Sequence, residues 1–391
     1  MNVQNIQNKE EEMLRLLEKL VNIDSGSYDK EGVDQVGEVL IPYFRELEYE
    51  IDVKEEERLG NHIICRPKGT KPTILIACHM DTVFEKGTAV ERPFFIKGKR
   101  AYGPGVIDMK ASLVSVIYAL KLLKEHCLDV YQHVQIMLTS DEEIGSPTSR
   151  ALIEKEAKGK HYALVMEPAR KDGSVVTSRR GNGRYVITVH GRAAHSGIEP
   201  EKGRSAIEEL AHKIVKLHNL NNHNKGISVN VGMIAGGNAV NTISDTAIGH
   251  MDVRVSTVEQ AKELESKIER ICATSDVHGT TIELTGDISR PPMVKNSQIE
   301  ELYRIVQQVG AEIGMKIKDS KTGGGSDASF TAAMGIPTID GLGPIGGYAH
   351  SDKEYLEIAS FTERTLLLAK IIERLVNCQR YSNKVVSRFF V

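Results

Sequence analysis

The sequence predicts an α/β fold: a mixed, mostly parallel sheet between helices, with a smaller α+β segment inserted into it. The first observation is a set of continuous apolar runs, such as TILIAC at 73–78, which are typical of strands buried on both faces. The second is that such runs alternate with long helical patterns. The third is a change of character near Arg179, after which strand patterns alternate, and a return to the first pattern after Pro291-Pro292.

Each element follows from apolar spacing and from the residues that interrupt it. The first helix is predicted at 10–21, where leucines recur at helical spacing until Asp24-Ser25-Gly26-Ser27 breaks the pattern. The other predicted helices are at 32–47, 111–125, 204–217, 258–273, 299–313 and 360–378. The predicted strands are at 51–53, 62–66, 73–78, 134–138, 163–166, 185–190, 227–232, 246–255 and 338–339. This order predicts a catalytic domain from 1–179 and 291–391 and an insert at 180–290, with two helices and about four strands.

Composition excludes several classes of protein. The chain has 391 residues, of which 40% are hydrophobic and 26% charged, as in ordinary globular domains. The net charge is -3 and no long basic run occurs, so neither a nucleic-acid partner nor a membrane surface is expected.

The cysteines and the N-terminus predict a cytoplasmic location. The five cysteines are scattered and form no CxxC pair, which disfavours a disulfide framework. The first twenty residues are acidic and amphipathic, unlike a signal peptide, and no apolar run reaches the roughly 18 residues of a membrane span.

Polar side chains cluster where the predicted parallel strands end, and in such sheets ligands bind at this edge. His79 and Asp81 follow the first apolar run, and a carboxylate behind a histidine is a common way of orienting a metal ligand. The same pair is also typical of a structural histidine beside a capping aspartate. Asp108 follows a Gly-Pro-Gly turn and precedes a helix, where it could bridge metals or merely cap the helix.

Three more acidic side chains and a second histidine complete the set. Glu142 and Glu143 follow the strand at 134–138, and Glu167 follows the strand at 163–166. His350 lies in a Gly-rich loop near the C-terminus. Taken singly, Glu142 and Glu143 could belong to a solvated acidic loop, Glu167 could be a surface charge, and His350 could be a polar loop residue. Taken together, two histidines and several carboxylates without a cysteine favour two zinc ions, or Co²⁺ or Mn²⁺, held by a shared carboxylate.

Seven motifs, in this order, give the sequence a family resemblance: ACHMDTV, AYGPGVIDMK, TSDEEIGS, MEP, GRAAHSG, GGGSDAS and GYAHSDKEY. The chain resembles the co-catalytic zinc family of aminoacylases, acetylornithine deacetylase, succinyl-diaminopimelate desuccinylase and bacterial glutamate carboxypeptidase, and is most similar to the last branch. The resemblance covers nearly the whole chain. It implies an α/β zinc-peptidase catalytic domain and an inserted lid and dimerisation domain.

The resemblance also implies a role for each metal-site residue. Asp108 would bridge the ions, with Glu142 as general base and Asp81 orienting His79. The peptide bond between Asp108 and Met109 would be cis, as is usual in the family. The remaining ligands would be His79 and Glu167 for one zinc, and Glu143 and His350 for the other.

In the insert, the resemblance implies that His195 reaches the site of a partner subunit in a homodimer and stabilises the oxyanion. Asn241, Arg254 and Arg290 match positions that bind the substrate's carboxylate, a group that arginine binds through two hydrogen bonds. Both arginines could instead be surface ion-pair residues. Gly324, within Gly323–Gly325, could offer its backbone N–H to the substrate or simply turn the chain.

The resemblance implies hydrolysis of an amide bond in a small peptide or an N-acyl amino acid, by an exopeptidase that releases a C-terminal residue, possibly glutamate. Arg179-Arg180 could favour acidic substrates or could be a solvent-facing hinge. A deacylase acting on a substrate such as acetylornithine is the alternative, because both reactions cleave an amide. A catalytically silent metal-binding scaffold is a third reading, which the complete ligand set and the presence of Glu142 disfavour.

Overall fold

A computed structural model describes residues 1–126 and 129–389, so Cys127 lies outside the described residues. Two compact units are present, one formed by Met1–Thr177, Lys295–Lys321 and Ser326–Val391, the other by Ser178–Val294 and Thr322–Gly325. The sequence had assigned the whole of 291–391 to the catalytic domain. Residues 322–325 instead join the second unit, because the carbonyl oxygens of Gly323 and Gly324 accept hydrogen bonds from Arg254 and Arg179.

The first unit is built on a six-stranded mixed sheet, as predicted. In spatial order its strands are Tyr49–Lys54, His62–Pro67, Val134–Thr139, Ile74–His79, Tyr162–Val165 and Thr338–Ile339. The first two pairings are antiparallel and the other three are parallel. Every residue of Ile74–His79 is buried, which explains why this segment is apolar without alternation.

Helices cover the sheet and close the core of the first unit. The helix Ala111–Glu125 is buried along almost its whole length, as its nearly unbroken apolar sequence requires, and the final helix Ile358–Phe389 packs against it. The remaining α-helices of this unit are Val3–Gln7, Glu10–Val21, Lys30–Glu46, Thr88–Glu91, Ser149–Ala157, Ser297–Glu312 and Ala328–Ala333.

Several short elements of the first unit escaped prediction. The strands Phe95–Lys97, Arg100–Tyr102, Gly346–Gly347 and Tyr355–Glu357 form a small sheet. Such elements are too short to show a period in the sequence, and the pairing that joins Arg100–Tyr102 to Tyr355–Glu357 spans some 250 residues of the chain. The strands Val175–Arg179 and Asp319–Thr322 pair with each other, and short 3₁₀ or π turns cover Val106–Lys110, Asp129–His133 and Glu142–Ile144.

The second unit is an antiparallel sheet with two helices packed on it. The strand order is Ser228–Gly236, Thr246–Val255, Gly181–His190 and Thr281–Arg290, and the helices are Ala206–His218 and Val258–Cys272. The pair Ala194–His195 and Thr242–Ile243 and the turns Pro200–Lys202 and His223–Lys225 complete it. A reciprocal cap between Thr257 and Gln260 begins the second helix. Within residues 1–126 and 129–389, no helix has the length and apolar composition that crossing a membrane requires.

Candidate metal centre

Three parallel strands of the first unit end at one edge of the sheet and deliver the candidate ligands there. His79 is the last residue of its strand, whereas Glu142 and Glu143 form a short turn after Val134–Thr139. Glu167 follows Tyr162–Val165 by two residues. These strands lie side by side in parallel, so residues far apart in sequence meet at this edge.

Asp108 lies on the irregular turn Val106–Lys110, just before the buried helix Ala111–Glu125. The peptide bond between Asp108 and Met109 is cis, which confirms the prediction for this bond. His350 lies in the loop before Tyr355–Glu357 and has a φ of 64°, in the left-handed region that few non-glycine residues adopt. Tertiary contacts must therefore hold this loop in place.

Asp108 lies between the two histidines. Its Oδ1 atom is 3.2 Å from His79 Nε2, and its Oδ2 atom is 3.2 Å from His350 Nε2. Glu143 Oε2 is 3.2 Å from the same His350 nitrogen, while Glu167 Oε1 is 3.8 Å from His79 Nε2. The five predicted metal ligands therefore meet in one cluster, with one carboxylate facing two histidines on opposite sides.

The chemistry of this cluster fits divalent cations. Ligand atoms of His79, Glu142 and Glu167 lie within 4.8 Å of one another, and so do those of His79, Asp108 and Glu143. Glu143 Oε1 is buried and has no hydrogen-bond partner among the described residues. A buried carboxylate oxygen without a donor is costly unless a cation offsets its charge, so the residues present fit a metal centre.

The electrostatics of the cluster point the same way. Burial raises the pKa of Glu143 to about 7. Burial and the neighbouring charge of Asp108 raise the pKa of Glu167 well above its usual value. Burial opposes the ionised form of both carboxyl groups, so a cation between them would stabilise that form.

Asp81 contacts His79, but mainly through its backbone. The Asp81 carbonyl oxygen is 2.8 Å from His79 Nδ1, which leaves Nε2 facing Asp108, whereas the Asp81 carboxylate is 3.5 Å from the ring. That carboxylate accepts hydrogen bonds from Ser27 Oγ at 2.6 Å and from the backbone N–H groups of Glu142 and Glu143 at 3.2 and 3.1 Å. The Asp81 side chain therefore holds the Glu142–Glu143 turn more directly than it holds His79.

The predicted residues of the second unit form two separate groups. His195 and Asn241 lie together, since the Ser196 N–H donates to the Asn241 carbonyl and His195 pairs with Thr242. His195 Nδ1 accepts a hydrogen bond from the Gly197 N–H at 3.1 Å, which leaves the proton on Nε2.

Arg254 and Arg290 form the other group, and both lie opposite Asn182 on the strands flanking it. Arg254 donates to Asp252 and to the Gly323 carbonyl, so it forms an ion pair, as the alternative interpretation of this residue expects. Arg290 is only 3% exposed, which is unlike a surface residue. Gly324 presents its carbonyl oxygen to Arg179 at 3.2 Å.

Along the strand Thr246–Val255, the His195 group lies at the Thr246 end and Arg254 at the other. Eight residues at about 3.3 Å each separate these ends by roughly 26 Å. The second unit of one chain therefore does not bring all of these predicted residues to one place.

Sequence reasoning gave no role to Glu354, although this residue belongs to the motif GYAHSDKEY. Its side chain is 2% exposed and accepts hydrogen bonds from the backbone N–H groups of Gly105, Ile107 and Asp108. The only signal in the sequence is an acidic residue four positions after a candidate ligand, which is too common to select it.

Comparison with known proteins agrees with this geometry. Residues 75–374 match the profile of peptidase family M20/M25/M40. Carboxypeptidase G2 of Pseudomonas sp. (strain RS-16) is 30% identical, with 92% of this chain and 88% of that protein aligned. Succinyl-diaminopimelate desuccinylase of Variovorax paradoxus is 26% identical, over 93% and 97% of the two chains. A tripeptidase structure from Staphylococcus aureus has a TM-score of 0.76 and 25% identity, over 94% and 99%. The chain is a metal-dependent hydrolase and belongs to peptidase family M20/M25/M40.

Proposed function

We propose that this chain is a two-zinc exopeptidase that removes a C-terminal residue, glutamate being the first candidate, from small peptides or N-acyl amino acids. The observation that carries the proposal is Asp108, whose two carboxylate oxygens each face a different histidine at 3.2 Å. His79 and Glu167 would hold one ion, and Glu143 and His350 the other. Co²⁺ or Mn²⁺ would suit the same ligands.

Two bound ions would lower the pKa of a water molecule and polarise the scissile carbonyl. Glu142 would take the proton of that water and pass it to the leaving amine, since its side chain lies within reach of His79 and Glu167. Replacing Glu142 by Gln should leave metal content unchanged and lower kcat by about 10²- to 10⁴-fold. Metal analysis and steady-state rates would measure this, and an unchanged kcat would remove Glu142 from the mechanism.

We further propose that two copies of the chain share each active site. The roughly 26 Å between the His195 and Arg254 groups supports this, because one copy would supply the arginines and the other the His195 group. His195 carries its proton on Nε2, the state that an oxyanion donor needs. Arg254, Arg290 and Asn241 would bind the carboxylate of the leaving residue, with Gly324 beside them.

The edge strand Ser228–Gly236 is the proposed dimer contact. It pairs on one side only, and Met233 and Ile234 on it are 69% and 68% exposed. Ile198 and Val240, also exposed, lie close to the His195 group in sequence. An open edge with exposed apolar side chains favours pairing with a second chain.

Complementation would test the shared site. His195→Ala and Glu142→Gln are each expected to be nearly inactive as pure proteins. After mixing and subunit exchange, a mixed dimer holds one site with both residues intact, so part of the activity should return. No recovery, despite exchange shown by mass spectrometry, would mean that each chain uses its own His195.

The substrate's acyl side is proposed to be uncharged. A cavity of about 610 Å³ adjoins Glu143 and is lined by both apolar and acidic side chains. Its one lysine, Lys86, already lies 3.4 Å from Asp29 and 3.3 Å from Glu31. An anionic acyl group such as succinyl would therefore meet carboxylates rather than a spare cation, which disfavours a desuccinylase.

The deciding measurement is kcat/KM of the zinc-loaded protein on an N-acyl-glutamate and on acetylornithine. A preference for the glutamate substrate would support the carboxypeptidase. A preference for acetylornithine would leave the proposed metal centre unchanged but would indicate that the chain is a deacylase. Metal binding without hydrolysis of either would favour the scaffold. We also keep a cytoplasmic location as part of the proposal, because Cys65, Cys78 and Cys272 form no disulfide in the described residues.

A further inference from the structure

Glu354 is a buried acid that neither the ligand set nor the proposed proton transfer uses. It is 2% exposed, and its carboxylate forms no ion pair with any lysine or arginine in the described residues. Burying a carboxyl group without a paired cation is costly. A group kept at such a cost needs a compensating role in the structure.

The hydrogen-bond partners of Glu354 indicate which part of the structure it stabilises. Glu354 Oε1 accepts from the N–H groups of Ile107 at 2.9 Å and Asp108 at 3.1 Å, and Oε2 accepts from the Gly105 N–H at 3.2 Å. Two of these donors belong to the turn Val106–Lys110 that presents Asp108 to both histidines, and Gly105 immediately precedes it. One carboxylate thus fixes the backbone here at three points, including the amide of Asp108 itself.

Glu354 also belongs to the loop that carries His350. Only three residues separate the two, and turn hydrogen bonds from Ser351 to Tyr348 and from Glu354 to Ser351 tie the segment together. His350 is held at a φ of 64° with a half-exposed side chain, so its position depends on how this segment is anchored. The buried Glu354 side chain supplies that anchor.

We infer that Glu354 is a positioning residue that locks the Asp108 turn to the His350 loop and so sets the spacing of the proposed bridged metal pair. It acts through Asp108 and His350 and does not itself contact the ions. This inference rests on the proposed function only in taking Asp108 and His350 as ligands; it does not depend on the substrate.

The test compares Glu354→Gln with a matched control, Glu209→Gln, in the full-length protein. Glu209 is also fully buried and accepts from two backbone N–H groups, those of Asp276 and Val277, but it lies in the second unit. In Glu354→Gln the amide nitrogen cannot accept a backbone N–H. In Glu209→Gln one oxygen can still accept both N–H groups, but the amide nitrogen faces the buried Lys213 ammonium, which Glu209 Oε1 contacts at 2.8 Å. Both variants should therefore lower the melting temperature of the metal-free protein.

Only Glu354→Gln should change the metal centre. Zinc affinity, measured by competition with a chromogenic chelator after metal removal, should fall by about 10- to 100-fold. The visible spectrum of the cobalt-loaded protein should also change, because the ligand geometry changes. Glu354→Asp, which keeps the charge but shortens the reach, should recover part of the affinity.

Two results would overturn the inference. One is a zinc affinity and a cobalt spectrum of Glu354→Gln that match those of the unmodified protein. The other is an equal loss of affinity in Glu209→Gln, which would make the effect a general loss of stability. If Glu354→Gln does not fold, Glu354→Asp alone decides. Its side chain is shorter, so a zinc affinity equal to that of the unmodified protein would show that the three hydrogen bonds are not needed. Failure of the proposed function is a separate result: the unmodified, zinc-loaded protein would bind metal but hydrolyse neither substrate, while the metal-affinity comparison would still test Glu354.

Discussion

The hydrogen bonds of Asp81 lead to a prediction about which metal site this residue supports. If its carboxylate acted on His79, replacing it would weaken the ion held by His79 and Glu167. The structure indicates the opposite, because the His79 ring is held by the Asp81 carbonyl oxygen, which an Asp81→Asn variant retains. What the variant loses is an acceptor for the backbone N–H of Glu142 or Glu143.

The magnitude follows from those contacts. The asparagine amide keeps one oxygen, so one of the two part-buried N–H groups is left without an acceptor, at a cost of at most about 1–3 kcal/mol. If the whole of this cost falls on the Glu142–Glu143 turn, zinc affinity at Glu143 and His350 falls about 5- to 150-fold, since 1.4 kcal/mol is a factor of ten. The affinity at His79 and Glu167 should stay unchanged within error.

A zinc titration followed by NMR of the histidine rings separates the two sites. The His79 and His350 signals would be assigned with His79→Asn and His350→Asn variants. Asp24→Asn is the control, because Asp24 likewise accepts from two backbone N–H groups, those of Gly87 and Ala89, in a different loop. Weaker zinc binding at His79 with normal binding at His350 would refute the reasoning, and so would a loss of affinity in Asp24→Asn.

Three further predictions follow from the same structure. Removing metal with a chelator should abolish hydrolysis and lower the thermal stability, and readdition of zinc should restore both. Each ion contributes about 2.7 kcal/mol when free zinc is 100 times its dissociation constant, and calorimetry that shows no stabilisation by zinc would contradict a metal centre in the folded state. Val83→Lys adds a cation to the cavity beside Glu143 and should raise kcat/KM for a succinyl substrate relative to an acetyl one by about fivefold, from roughly 1 kcal/mol of charge attraction. Val90→Lys, at an 85% exposed position that does not line the cavity, should leave the ratio unchanged, and an equal effect of both variants would exclude the cavity as the acyl site. Met233→Glu should convert a dimer into a monomer of 43.2 kDa in light scattering and lower kcat, whereas a dimer that survives would exclude the edge strand as the contact.

The sequence by itself determined much of this protein because its local patterns are strong. The run TILIAC is apolar after Thr73 and too short for a typical helix, which favours a strand buried on both faces, and Ile74–His79 is such a strand. The five proposed ligands could be selected because each stands where a buried strand ends or in a motif that the family resemblance covers. Their convergence then follows from parallel pairing, which places the ends of neighbouring strands at one edge.

Only the tertiary structure determined the contacts between residues that lie far apart in sequence. From the sequence, Glu354 is indistinguishable from an ordinary surface acid. Only the fold brings its carboxylate into contact with the Asp108 turn, which lies some 250 residues earlier in the chain. Asp81 contacts His79 through its backbone carbonyl and the Glu142–Glu143 turn through its carboxylate. This difference depends on the direction of the side chain, which the spacing of residues in the sequence does not encode. The separation of His195 from Arg254 likewise arises from strand register in the second unit. Long-range hydrogen bonds and register are properties of the folded chain, because they join residues whose neighbours in sequence give no sign of each other.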